Sequence, residues 1–133
     1  MQGGSPAVSY AISQPYTYAL PLLRTQLQRH QLEIVLDWNV GGQLHQQFGV
    51  SLSRCHVFVV NCPVLLLQAT VMGSQTLSLL PLRVVVSEQI SYTLLTFPDY
   101  RSAPDVFQRA LLERFADLLR DCGAHPIASL ATA

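Results

Sequence analysis

Four residues combine a reactive or charged side chain with a position that a folded chain would hold still: Asn61, Cys62, Arg83 and His56. Cys62 stands directly before Pro63 and the helix-forming run Val64 to Met72, so a helix N-terminus would favour its thiolate and make it a nucleophile or redox thiol. The commoner role of a lone cysteine is that of a small buried hydrophobe, and no histidine or second cysteine is spaced to assist it. The amide of Asn61 either ties the corner together through local backbone hydrogen bonds, as Asn does in turns, or contacts a ligand. Arg83 lies inside the apolar run Leu82 to Val86. A guanidinium there faces solvent, pairs with a carboxylate such as Glu88 or Glu33, or clamps an anionic ligand. His56, in the run Cys55 to Val60, is a hydrogen-bonded structural histidine or a catalytic base. Cys55 and Cys122 suit packing, and His30, His45 and His125 suit solvated positions. Asp37 and Asp99 fall at strand ends without an evident partner.

Composition removes several chemistries. Among 133 residues there is no lysine, which excludes a Schiff-base lysine, a P-loop lysine and an ammonium base. Eight arginines balance eight acidic residues, so there is no basic excess to neutralise phosphates, and nucleic acid is not an expected partner. The three cysteines are an odd number and do not suggest a disulfide framework. Metal ligation is not expected either: Cys55 and His56 are adjacent and would point to opposite faces of a strand, and no CxxC, HxH or HExxH spacing occurs. No cofactor is implied. The apolar runs are far shorter than the ~20 residues of a membrane span, and Met1 to Pro6 carries no basic n-region of a secretory signal. These features lead to the expectation of a soluble cytoplasmic protein.

The elements that would position these residues follow from periodicity. Residues 1–6 are expected as a disordered leader, residues 7–123 as one domain, and residues 124–133 as a flexible tail of small residues. Ala7 to Ile12 alternates as a half-buried strand. Leu20, Leu23 and Leu27 recur at helical spacing, and Pro21, tolerable in a first turn, predicts that this helix begins near Ala19 or Leu20. Leu32 to Trp38 alternates, with Leu32, Ile34, Leu36 and Trp38 on one face and Glu33, Val35 and Asp37 on the other. Gly41-Gly42 reads as a flexible turn, or more weakly as a phosphate-binding helix start, before a short helix from Gln43 to Phe48. Cys55 to Val60 is apolar on nearly every residue, the pattern of a central strand covered on both faces. Pro63 starts a helix that Gly73 stops. Leu82 to Val86 and Ile90 to Phe97 form a hairpin about Ser87 to Gln89. A last helix is capped by Ser102 or Ala103, with Pro104 in its first turn, and presents Phe107, Leu111, Phe115, Leu118 and Cys122 as one stripe.

Two segments carry a resemblance. Val59-Val60-Asn61-Cys62-Pro63, a strand ending in an Asn-x-Pro-like corner, and Leu80-Pro81-Leu82-Arg83-Val84-Val85-Val86 resemble the small, mainly prokaryotic family called domain of unknown function 302. The resemblance covers roughly Val8 to Tyr100. It implies an α+β fold in two layers: an antiparallel sheet of about five strands in β-α-β(4)-α order, helices on one face, often a homodimer. It implies no activity.

Two function classes follow. The first is a non-enzymatic homodimeric module that binds a small molecule or a partner protein in a cleft beside Asn61-Cys62-Pro63 and Arg83. The second is a small thiol-dependent enzyme or sulfur carrier acting through Cys62.

Overall fold

The computed structural model describes residues 7–73, 81–99 and 105–127. The leader at 1–6, the helix start expected at Ser102 to Pro104 and the tail beyond Ile127 lie outside them. Elements follow in the order β1 (Ala7–Ile12), α1 (Tyr16–Arg29), β2 (Glu33–Asn39), α2 (Val40–Phe48), β3 (Cys55–Asn61), α3 (Pro63–Val71), β4 (Leu82–Glu88), β5 (Thr93–Pro98), α4 (Val106–Asp121) and β6 (His125–Ile127). The fold is α+β, with an antiparallel sheet ordered β2-β3-β4-β5-β1-β6. It has one strand more than the family resemblance implies. That strand, β6, falls in the segment read as tail, and pairs Ser9 with Ile127 and Ala11 with His125.

One face of the sheet is covered. Phe58 and Val60 of β3, Leu82, Val84 and Val86 of β4 and Leu95 of β5 are buried against Leu23 and Leu27 of α1 and Leu111, Phe115 and Leu118 of α4. Fully burying side chains of this size contributes roughly 1.5–3 kcal/mol each. The stripe expected on the last helix is present at Leu111, Phe115, Leu118 and Cys122. The cap of α4 is Asp105, whose carboxylate accepts from the backbone N–H of Phe107 at 2.8 Å and of Gln108 at 3.4 Å.

On the opposite face, no residue of β3, β4 or β5 is fully buried. Val57, Val59 and Val85 point there, so β3 is covered on one face rather than two. The β-branched run of β3 reflects its place inside the sheet, with β2 on one side and β4 on the other.

Three local expectations are corrected. α1 starts at Tyr16, not near Ala19, because Pro15 supplies an extended N-cap at φ −60° and ψ 155°. Pro21 then sits inside the helix, on its exposed side, where the backbone bond it lacks is least missed. Gly41 and Gly42 lie in the first turn of α2, since the Asn39 side chain caps that helix by accepting from Gly42 N–H at 2.9 Å. Most consequential is β2, where a bulge between Ile34 and Leu36 breaks the alternation. Ile34 pairs with Val60 and faces the helices; past the bulge, Leu36 pairs with Val59 and Trp38 with Val57 on the open face, while Asp37 pairs with Phe58 and turns toward the helices. An extra residue in a strand exchanges the faces of everything after it.

Candidate functional site

The bulge delivers Asp37 to the edge of the helix layer, beside the start of β3. There its carboxylate is held from two sides. Oδ1 meets His56 Nδ1 at 2.6 Å, and Oδ2 accepts from Arg24 Nη2 at 2.5 Å. The Arg24 guanidinium, carried by α1, also lies over the Phe58 ring, 4.9 Å from its centre. Burial opposes ionisation of Asp37, but the hydrogen bonds from His56 and Arg24, with their charges, outweigh it and hold its pKa below the ordinary carboxylate range. Asp37 is therefore ionised near neutral pH and can only accept. It follows that His56 Nδ1 carries a proton and donates to Asp37 Oδ1.

Tyr16, at the first position of α1, closes the other side. It is 2% exposed. Its ring centre lies 6.2 Å from that of His56, and the Arg54 guanidinium covers the ring at 4.9 Å. Arg54 is in turn fixed by Glu88 at 3.0 Å and by Thr17 Oγ1 at 3.1 Å, and Glu88 Oε1 accepts from Arg54 N–H at 3.0 Å. The Tyr16 hydroxyl is buried and has no hydrogen-bond partner. Burial, then the neighbouring Cys55 thiol and the carboxylates of Asp37 and Glu88, push its pKa up to about 12, with Arg54 opposing.

Of the four residues expected to form a site, His56 belongs to this cluster. Asn61 spends its side-chain oxygen on the N–H of Cys62 at 2.9 Å, the local corner-tying role. Cys62 is 0% exposed and part of the core between sheet and helices. Arg83 is exposed and pairs with Val59 on the open face, so the fold sets it and Cys62 on opposite sides of the sheet. Glu88, considered as a partner for Arg83, is engaged by Arg54. His30, expected in solvent, meets Asp121 at 2.7 Å and links the C-terminal ends of α1 and α4.

Tyr16, Arg24 and Arg54 carried no sequence signal, because they converge from an element start, a helix interior and a loop. Asp37 was visible as a strand-end acid; its partners depend on the bulge. Among the described residues no group of three or more His, Cys, Asp or Glu is placed to hold a metal ion, and no helix is long and apolar enough to cross a membrane.

Comparison with known proteins yields a family and a fold. The family described as "Domain of unknown function DUF302" matches residues 8–122. A solved structure, the crystal structure of an uncharacterized conserved DUF302 protein from Bacillus stearothermophilus, superimposes with a TM-score of 0.59 at 16% sequence identity, covering 87% of this chain and 94% of that one. No curated protein matches.

Proposed function

The chain belongs to the DUF302 family, and on that premise we propose that it is a homodimeric binding module whose subunits meet through the open face of the sheet. One observation carries the reading: that face is apolar over β2 and β3 and at Val85 of β4, with the exposed Arg83 at its border, and polar beyond. The cross-strand row Trp38, Val57, Val85 continues into Thr96 and Ser9, whose hydroxyls bond each other at 3.2 Å. On the apolar half, Leu36 is 56% and Trp38 46% exposed. The adjoining α2 buries none of its residues, and Phe48 at its end is 70% exposed. A contiguous apolar patch with a polar margin is characteristic of a protein–protein contact, and a two-fold axis lets one such patch cover its own copy.

Native mass spectrometry and light scattering test this. The expected result is a dimer that Val85→Glu converts to a folded monomer; a wild-type monomer at every concentration refutes it. The second reading, a thiol activity at Cys62, requires a side chain now in the core to reach a substrate. Cys62 alkylating as fast as a free thiol in the native protein would favour it, and slow alkylation that accelerates on unfolding would end it.

A further inference from the structure

Among the described residues, the guanidiniums of Arg29, Arg83 and Arg114 make no ion pair or hydrogen bond, whereas Arg24, Arg54 and Arg120 are matched by Asp37, Glu88 and Asp117, and Arg109 is engaged. Arg83 stands exposed on the open face of the sheet. The other two meet. Arg29 ends α1 and Arg114 lies in the middle of α4, and together with His30, Gln31 and Asp117 they line one concavity of about 410 Å³ in the helix layer. Asp117 is matched by Arg120, and Asp121 is held by His30, so neither arginine has a carboxylate of its own. The chain as a whole is neutral, and this excess of positive charge is local.

The backbone supplies a second, independent sign. Helices α2, α3 and α4 close on glycines at φ 70° or 71°, a left-handed conformation that glycine adopts without strain. Helix α1 closes in the same region on Gln31, at φ 58°. The turn itself asks only for backbone: the N–H groups of His30, Gln31 and Leu32 donate to the carbonyls of Gln26, Gln28 and Leu27. What a glutamine adds over glycine there is a side-chain amide on the wall of the concavity. A strained residue kept where an unstrained one would close the helix points to a use for its side chain. The helix dipole accounts for a cation at Arg29, but not for Arg114, which is far from either end of α4. Because the last carbonyls of α1 are already satisfied, they present few free lone pairs to an incoming anion.

We propose that this concavity binds the phosphate group of a small phosphomonoester, with Arg29 and Arg114 donating to its oxygens and the Gln31 amide donating to a further one. A phosphomonoester carries close to two negative charges near neutral pH and several oxygens that accept. Two guanidiniums and an amide N–H2 are the complement in both charge and donors. The chain has no lysine, so arginine is the cation available for this role. The concavity is larger than a phosphate alone requires, and the rest of a small molecule fits beside it. The site belongs to the helix layer, away from the open face of the sheet, and does not rest on the proposed dimer.

The test is NMR of protein labelled with 15N-arginine, titrated at constant ionic strength with glycerophosphate, and separately with glycerol and with acetate. The expected result is a saturable shift of the Nε–H resonances of both Arg29 and Arg114 with glycerophosphate, about ten-fold or more weaker with acetate and absent with glycerol. Affinity for glycerophosphate should fall about ten-fold or more in Arg29→Gln and in Arg114→Gln, and stay unchanged in Arg83→Gln. No saturable shift with glycerophosphate, a shift at only one of the two arginines, or equal affinity for acetate overturns the proposal. An effect of Arg83→Gln as large as that of Arg29→Gln overturns it as well, since general surface charge would then explain the binding. The comparison of probes uses the wild-type chain, so it stands whether or not the variants fold, and a monomeric protein leaves it intact.

Discussion

Replacing Tyr16 by Phe is expected to stabilise the ligand-free protein, the reverse of the usual result for a buried tyrosine. An ordinary buried hydroxyl contributes a net ~1 kcal/mol through its hydrogen bond, and losing it destabilises by that amount. The Tyr16 hydroxyl makes no such bond, yet it is stripped of water. An unpaired buried polar group costs roughly 1–3 kcal/mol, so its removal should return part of that, about 1 kcal/mol once the small void left by the oxygen is counted. The ring keeps its contacts with His56 and Arg54, since neither involves the oxygen. For a chain of this length 1 kcal/mol corresponds to roughly 4 °C in Tm. Thermal unfolding of both proteins near neutral pH, where tyrosine is protonated whether folded or unfolded, gives the difference directly. A variant less stable than wild type by about 1 kcal/mol would refute the reasoning, since the hydroxyl would then have a bound partner in the folded protein.

Two further outcomes follow from the same cluster. The folded-state pKa of Asp37 is lowered, so its contribution to stability is fully present above the unfolded carboxylate pKa of about 4 and is lost as pH falls through the lower folded value. Unfolding temperatures measured from pH 7 downward should show this loss in wild type and a smaller one in Asp37→Asn; parallel curves would count against the ion pair. The folded-state pKa of Tyr16 is raised to about 12, so stability is complete below the unfolded value of about 10 and declines as pH rises from there toward about 12. Denaturant titrations across that range should find the decline smaller in Tyr16→Phe, and an identical alkaline limb in the two proteins would show that other groups cause it.

Much of the fold was legible because it depends on short-range pattern. The helix beginning at Pro63, the stripe from Leu111 to Cys122 and the strand from Leu82 each follow from residues within a turn or two of one another. The candidate cluster was not legible, for the opposite reason. Arg24 is an unremarkable outward-facing residue of an amphipathic helix until β2 brings Asp37 within 2.5 Å. Asp37 arrives there only through the bulge at Ile34 and Leu36, a backbone irregularity that a strict two-residue period conceals. Cys62 drew attention for its place before a helix, and that place is real; what the chain could not reveal locally is that its side chain points into the core. The strand β6 was hidden by its length of three residues and by Pro126, yet a proline is tolerable there because β6 pairs with β1 alone at the margin of the sheet.

The bulge in β2 also acts as a phase shift between two properties that have no direct contact. With it, Asp37 looks toward His56 and Trp38 toward the open face; were Val35 to pair in strict alternation instead of bulging out, every later residue of β2 would slip by one position and the two would trade sides. A carboxylate would then stand in the middle of the apolar patch, and an indole would press into the place where Arg24 and His56 now meet. The polar cluster and the apolar face are thus geared together through one residue. A lineage that lost the bulge while keeping the residue could not give up one without the other, whereas substitutions at Asp37 or Trp38 would change each separately.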